Sequence, residues 1–97
     1  MELTGKQRRF LRSLASPTKA TIIIGQTGVT ETTMKTLNAA LTKDELVKLR
    51  LTKASGLDRK VFAPDLAETL DAHLVQIFGS TIVLYRKNEA SPLITLP

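Results

Sequence analysis

The run Ile22-Ile23-Ile24, followed at once by Gly25-Gln26-Thr27-Gly28, restricts this chain more than any other stretch. Three consecutive β-branched residues suit a strand buried on both faces, where stiff side chains pack well and lose little further freedom. Gly25 ends that strand. Two glycines three apart around two polar residues make a tight exposed turn, because glycine reaches positive φ and admits a second backbone or a phosphate where a Cβ would collide. Thr30 then reads as a helix N-cap, its hydroxyl accepting from an amide two or three residues on. Strand, glycine turn and helix start in that order leave free N–H groups and the positive end of a helix dipole facing the turn, which makes a natural anion site. The motif lacks both the Lys-Ser/Thr ending of a nucleoside-triphosphate loop and the third glycine of a dinucleotide fingerprint. What remains is a two-glycine clamp of the kind that lies against a nucleic-acid backbone.

The charge distribution agrees with that reading. The chain has 97 residues, with 14 Lys and Arg against 9 Asp and Glu. Residues 1–60 hold twelve of the basic and five of the acidic side chains. A surface polarised in this way attracts polyanions toward the half that contains the glycine turn. Length and a composition of 42% hydrophobic and 24% charged residues predict one ordered domain with a single core. The absence of cysteine excludes disulfides and thiol chemistry and fits a reducing cytosol. With no aliphatic run longer than three, neither a signal-peptide core nor a membrane span is expected. A soluble cytoplasmic monomer without a cofactor is the expectation.

Along the chain, Thr4 and Gln7 form a capping box for a helix over 5–15. Its period puts Leu3, Gln7, Phe10, Leu11 and Leu14 on one side and Lys6, Arg8, Arg9 and Arg12 on the other. Four cations without an anion repel one another unless something negative lies across them, so this face is a candidate for RNA. Pro17 stops the helix. The first strand is expected over 19–24, a second helix over 31–42, and a second strand over 45–52 with Val47, Leu49 and Leu51 on one face and Lys48 and Arg50 on the other. Asp58 caps a third helix reaching 72, with Val61, Phe62, Leu66, Ala67 and Leu70 inward and a bend or a late start at Pro64. Asp65, Glu68 and Asp71 share a face of it. With no histidine beside them they read as solvated charge rather than a metal or acid–base cluster. Strands over 73–78 and 81–87 meet at Gly79-Ser80, a glycine-first turn suited to type II′. His73 reads as structural, and residues 88–97 as a tail in which Leu93-Ile94-Thr95-Leu96 suits a short edge strand.

The predicted fold is therefore an α/β sandwich of order α-β-α-β-α-β-β, with parallel pairs across the helices and one antiparallel hairpin in a mixed sheet. No nucleophile and base stand at plausible spacing, which argues against an enzyme.

Leu3-Thr4-Gly5-Lys6-Gln7, Ile24-Gly25-Gln26-Thr27-Gly28-Val29-Thr30, Glu45-Leu46-Val47-Lys48 and Ile82-Val83-Leu84-Tyr85-Arg86 together resemble, in order, the marks of the CRM domain (chloroplast RNA splicing and ribosome maturation). A free-standing domain of this length is similar to the bacterial YhbY type. The resemblance implies a fold similar to the C-terminal domain of translation initiation factor three, a non-catalytic RNA-binding role and an association with precursors of the large ribosomal subunit. It places a backbone clamp on Gly25, Gln26, Thr27 and Gly28, and a basic helix on Lys6, Arg8, Arg9 and Arg12. The sequence departs from the family in the uncharged Gln26 and Thr27, in Asp71-Ala72-His73 where the family has a glycine, and in Pro64. Thr30, Lys19 and Arg86 complete the candidate RNA-binding set. The rival expectation is an architectural protein that binds duplex nucleic acid nonspecifically.

Overall fold

The computed structural model describes residues 2–97. Local chemistry sets most boundaries. The Thr4 Oγ1 accepts from the Gln7 N–H at 3.1 Å and the Gln7 Oε1 from the Thr4 N–H at 3.0 Å, opening α1 (Gly5–Ala15) with the expected capping box. There follow β1 (Ile22–Ile24), α2 (Glu31–Asp44), β2 (Leu46–Leu51), a single 3-10 turn (Lys53–Ser55), α3 (Arg59–Thr69), β3 (His73–Phe78) and β4 (Thr81–Tyr85). This is the predicted α/β order around a mixed sheet.

The strand order is β1-β2-β4-β3, with β1 parallel to β2 and β4 antiparallel to both its neighbours. The expected parallel pair across α3 is thus replaced by an antiparallel β2–β4 pair. Ile82, Val83, Leu84 and Tyr85 are all buried, with Ile82 and Leu84 in one cluster and Val83 and Tyr85 in the other. A strand apolar on both faces is best satisfied at the centre, where both faces are covered. The two-sided burial expected of β1 fails for the same reason. β1 is an edge strand, and Ile23 is 56% exposed.

On one face α2 and α3 bury Leu37, Leu41, Ala63, Leu66 and Ala67 against Ile24, Val47, Leu49, Leu51, Ile82 and Leu84. On the other, Leu3, just before the cap, and Leu11 and Ala15 of α1 pack against Val75, Val83 and Tyr85. Gly79 turns the β3–β4 hairpin at φ +58 while Ser80 keeps negative φ, as type II′ requires. His73 stacks on Tyr85 with centroids 6.1 Å apart. Burial and then positive charge, Arg8 included, push the imidazole below its ordinary pKa, so a neutral ring lies there at pH 7.

Three further expectations need correction. α3 starts at Arg59 and continues past Pro64, without the late start, and stops at Thr69 rather than 72. Asp71 takes the left-handed position after it at φ +53, and the Ala72 N–H returns to the Ala67 carbonyl at 2.8 Å, an arrangement that glycine usually serves. Val61, expected inward, is 62% exposed, and Ala63 is buried instead. Leu93-Ile94-Thr95-Leu96 adds no strand. The Leu93 and Ile94 N–H groups instead donate to the Glu45 carboxylate, and Ile94 and Leu96 pack on the α1 cluster.

Candidate nucleic-acid interface

β1 and β2 run parallel, so both end at the same edge of the sheet, where β4 begins and β3 finishes. Three connections gather there: residues 25–30 leading into α2, the 3-10 turn leading into α3, and the Gly79-Ser80 turn. The Thr52 N–H donates to the Ile24 carbonyl at 2.9 Å, and the Leu51 N–H to the Ser80 carbonyl at 2.8 Å. Two helix N-termini face this end.

In the glycine loop the Gly28 N–H closes on the Gly25 carbonyl at 2.9 Å. Gly28 has φ +70 and open space around its missing Cβ, whereas a Cβ at Gly25 would meet only Thr52 Oγ1, at 3.6 Å. The first glycine-to-glycine step is therefore a turn that needs glycine at Gly28 for its backbone angle. Gly25 has no such requirement from the protein. Gln26 and Thr27 are exposed at the tip. Thr30 caps α2 as expected, its Oγ1 accepting from the Thr33 N–H at 3.2 Å, while the Thr33 hydroxyl accepts from the Thr30 N–H at 3.2 Å. Two amides of the loop, those of Gly28 and Thr30, are thus committed inside the protein, and a bound anion has to use the others.

The structure separates the basic residues into two kinds. Lys6, Arg9 and Arg12 are exposed on α1, and Lys19 is exposed in the connection before β1, which begins three residues later than expected. Arg8 departs from that face. It lies on the side of α1 that carries Leu11 and Ala15, and its guanidinium donates to the Leu74 carbonyl and, at 3.4 Å, to that of Val75. These carbonyls flank a bulge where β3 shifts register between Leu74 and Gln76, so Arg8 supplies donors that the ladder lacks there. Arg86 is likewise committed inside. It donates to the Asn38 side chain (2.8 Å) and carbonyl (3.0 Å), the Leu70 carbonyl (2.9 Å) and the Thr42 hydroxyl (2.9 Å), tying α2 to the end of α3. β4 correspondingly ends at Tyr85, not 87.

Sequence reasoning missed Lys53, Arg59 and Lys60. Lys53 is exposed on the connection that shares the sheet end with the glycine loop, and Arg59 and Lys60 are exposed in the first turn of α3 that follows it; no local pattern announces them, since the fold itself brings them to this end. Among the described residues the ion pairs are Glu31–Lys35 and Glu89–Lys87, so none of these three is neutralised by a bonded carboxylate. α1, which carries Lys6, Arg9 and Arg12, lies on the opposite sheet face from α2, with its C-terminus against β2 where the Ala15 carbonyl accepts from Lys48. No helix among the described residues is long and apolar enough to cross a membrane.

A four-stranded mixed sheet between helices, with a two-glycine turn at the head of α2, defines a recognisable class of small α/β module. The chain belongs to the CRS1 / YhbY (CRM) domain family, whose pattern it matches over residues 3–86. It is 37% identical over 95 residues to the "Probable RNA-binding protein YqeI" of Bacillus subtilis, covering 98% of this chain and 99% of that one. It is 33% identical over 88 residues to the "Probable RNA-binding protein PA4753" of Pseudomonas aeruginosa, covering 91% and 85%. The solution structure of the hypothetical protein SAV1595 from Staphylococcus aureus superposes with a TM-score of 0.72 at 37% identity, over 99% of this chain and 100% of that one.

Proposed function

We propose that this protein is a non-catalytic RNA-binding module, one domain over 1–97 acting as a monomer in the cytoplasm, and that its target is ribosomal RNA in precursors of the large subunit. The observation that carries the RNA reading is Gly25. It sits beside the head of α2 with no backbone angle or internal contact that demands glycine, so its bare surface is explained by a ligand backbone lying against it. Phosphate is held by the loop amides still free and by the dipole of α2, with Lys53, Arg59 and Lys60 adding positive charge around the same end. Lys6, Arg9 and Arg12 form a second contact line along α1, with Lys19 in the connection after it. Arg8 and Arg86 act from inside, by holding the scaffold. The relatives bear the name RNA-binding, which supports this reading, and the ribosomal target rests on the family resemblance.

Crosslinking in cells followed by sequencing of the attached RNA tests both parts. Reads concentrated on large-subunit precursor RNA are expected. A profile dominated by messenger RNA would remove the ribosomal target, and equal binding of structured RNA and duplex DNA at one salt concentration would favour the architectural alternative.

A further inference from the structure

The α1 side of the sheet is only partly covered. α1 and the C-terminal segment lie over Val75, Val83 and Tyr85, and the helix stops at Ala15. Beyond it, one row of cross-strand neighbours crosses all four strands: Ile23 pairs with Arg50, Arg50 with Thr81, and Thr81 with Phe78. Paired neighbours share a face. Lys48, two residues before Arg50, identifies it as the α1 face by donating from Nζ to the Ala15 carbonyl at 3.2 Å. In this row Phe78 is 74% exposed, and Ile23 and Arg50 are exposed as well. Between the row and the end of α1 lies a groove of about 380 Å³ whose lining includes Ser16, Lys48, Gln76, Phe78, Thr81 and Val83.

A single exposed phenylalanine is ordinary. This one lies in register with a guanidinium and borders a groove carrying hydroxyls and an amide. Those are the three groups that an unpaired nucleotide requires: a flat apolar surface for the base plane, hydrogen-bonding groups for its edge, and a cation for its phosphate. A second copy of this chain is disfavoured, because docking the face on itself would set Arg50 and Lys48 against their own charge. The row also adjoins the glycine loop, since Ile23 is two residues before Gly25 and Thr81 directly follows the Gly79-Ser80 turn. Building on the RNA-binding reading above, we propose that this row is a site for unpaired nucleotides, with a base stacked on Phe78, its edge toward Gln76 and Thr81, and the backbone held by Arg50. Bases in a duplex have their planes covered by neighbours, so the site directs the protein to loops, bulges and single-stranded junctions.

The chain has no tryptophan, so Phe78→Trp places a lone indole, excited apart from Tyr85, in the row. Short oligouridine should quench it, and an RNA duplex of equal charge should not. Phe78→Ala, at an exposed position, should melt with the parent yet bind oligouridine at least fivefold more weakly while keeping parental affinity for the duplex. Parental affinity of Phe78→Ala for oligouridine, or unquenched indole emission from a Phe78→Trp variant that binds RNA, overturns this site and leaves the RNA function standing. Failure of the parent to bind any RNA removes both. A change in the sedimentation of the free protein on Phe78→Ala would assign the row to self-association and overturn the proposal.

Discussion

The carboxylate of Glu45 accepts the backbone N–H of Ile94 at 2.7 Å across 49 positions of chain, and it takes those of Leu93 at 2.8 Å and Asn88 at 2.7 Å as well. Glu45 is fully buried and sits at φ 64 just after α2, so a charged side chain in a strained backbone position is what fastens residues 88–94. Burial raises its pKa, but the three donors, with Lys87 nearby, outweigh that and hold the carboxyl below its ordinary value.

A carboxyl with a lower pKa folded than unfolded stabilises fully above its unfolded value, near 4.5, and loses that contribution as pH falls through the folded value. The parent should therefore lose stability below that point. Glu45→Gln should cost about 2 kcal/mol at pH 7, because its amide NH2 meets an N–H donor and one hydrogen bond becomes a clash of donors. It should also flatten the acid limb of the stability curve. Amide exchange at Leu93 and Ile94 reports the same loss directly, and unchanged protection there would mean that the carboxylate does not hold the segment.

Arg86 should behave as a structural residue when mutated. Arg86→Ala removes four donated hydrogen bonds and takes from the Leu70 carbonyl its guanidinium donor, a cost of about 1–3 kcal/mol, or roughly 5–20 °C in Tm for a domain of this size. Arg86→Lys recovers little, since an ammonium cannot reproduce the fork. Below the melt, both variants should keep the parental salt dependence of RNA binding. A flatter salt slope would show that Arg86 contacts phosphate.

Where the fold was legible in the sequence, local chemistry made it so: Thr4 with Gln7, Thr30, Asp58 and Gly79 each placed a boundary because a cap or turn acts within a few residues. The parallel pair expected across α3 fails, and with it the two-sided burial expected of Ile22-Ile23-Ile24, because Ile82-Val83-Leu84-Tyr85 is longer and takes the centre. Arg8 was misplaced by following Leu14, although Leu11 and Ala15, three and seven residues on, put it on the buried side. The roles of Glu45 and Arg86 were hidden in another way. Their partners lie 43 to 49 and 16 to 48 residues distant, and no local pattern encodes such pairings.

The two kinds of cation should separate in salt titrations. Each phosphate contact contributes roughly 0.7 to 0.9 to the log–log slope of affinity against salt. Removing Arg9 and Arg12 together should flatten the slope by about 1.5 without altering the melt, because both are exposed and neither is in an ion pair among the described residues. Arg8→Ala should lower stability, through the unsupported bulge of β3, and leave the slope in place. An unchanged slope for the Arg9 and Arg12 double variant would reduce that face to ordinary solvated charge.

The two glycines of the loop should fail differently. At Gly28 any L-residue meets φ +70, a strain of about 1 kcal/mol, but nothing lies within 4 Å of its Cβ. Gly28→Asn and Gly28→Asp both tolerate that angle and differ in charge, so their stabilities should be close while Asp alone places a negative group against phosphate. At Gly25 the backbone angle is ordinary, and an added methyl would touch only Thr52 Oγ1 in normal contact. Gly25→Ala should thus melt within a few degrees of the parent, yet bind RNA about tenfold more weakly, a loss of about 1.4 kcal/mol, because the methyl occupies the surface against which the ligand backbone is proposed to lie. Gln26→Ala removes a side chain without touching the main-chain donors and should cost little. A well-folded Gly25→Ala that binds structured RNA like the parent would leave this loop a strand-to-helix turn and nothing more.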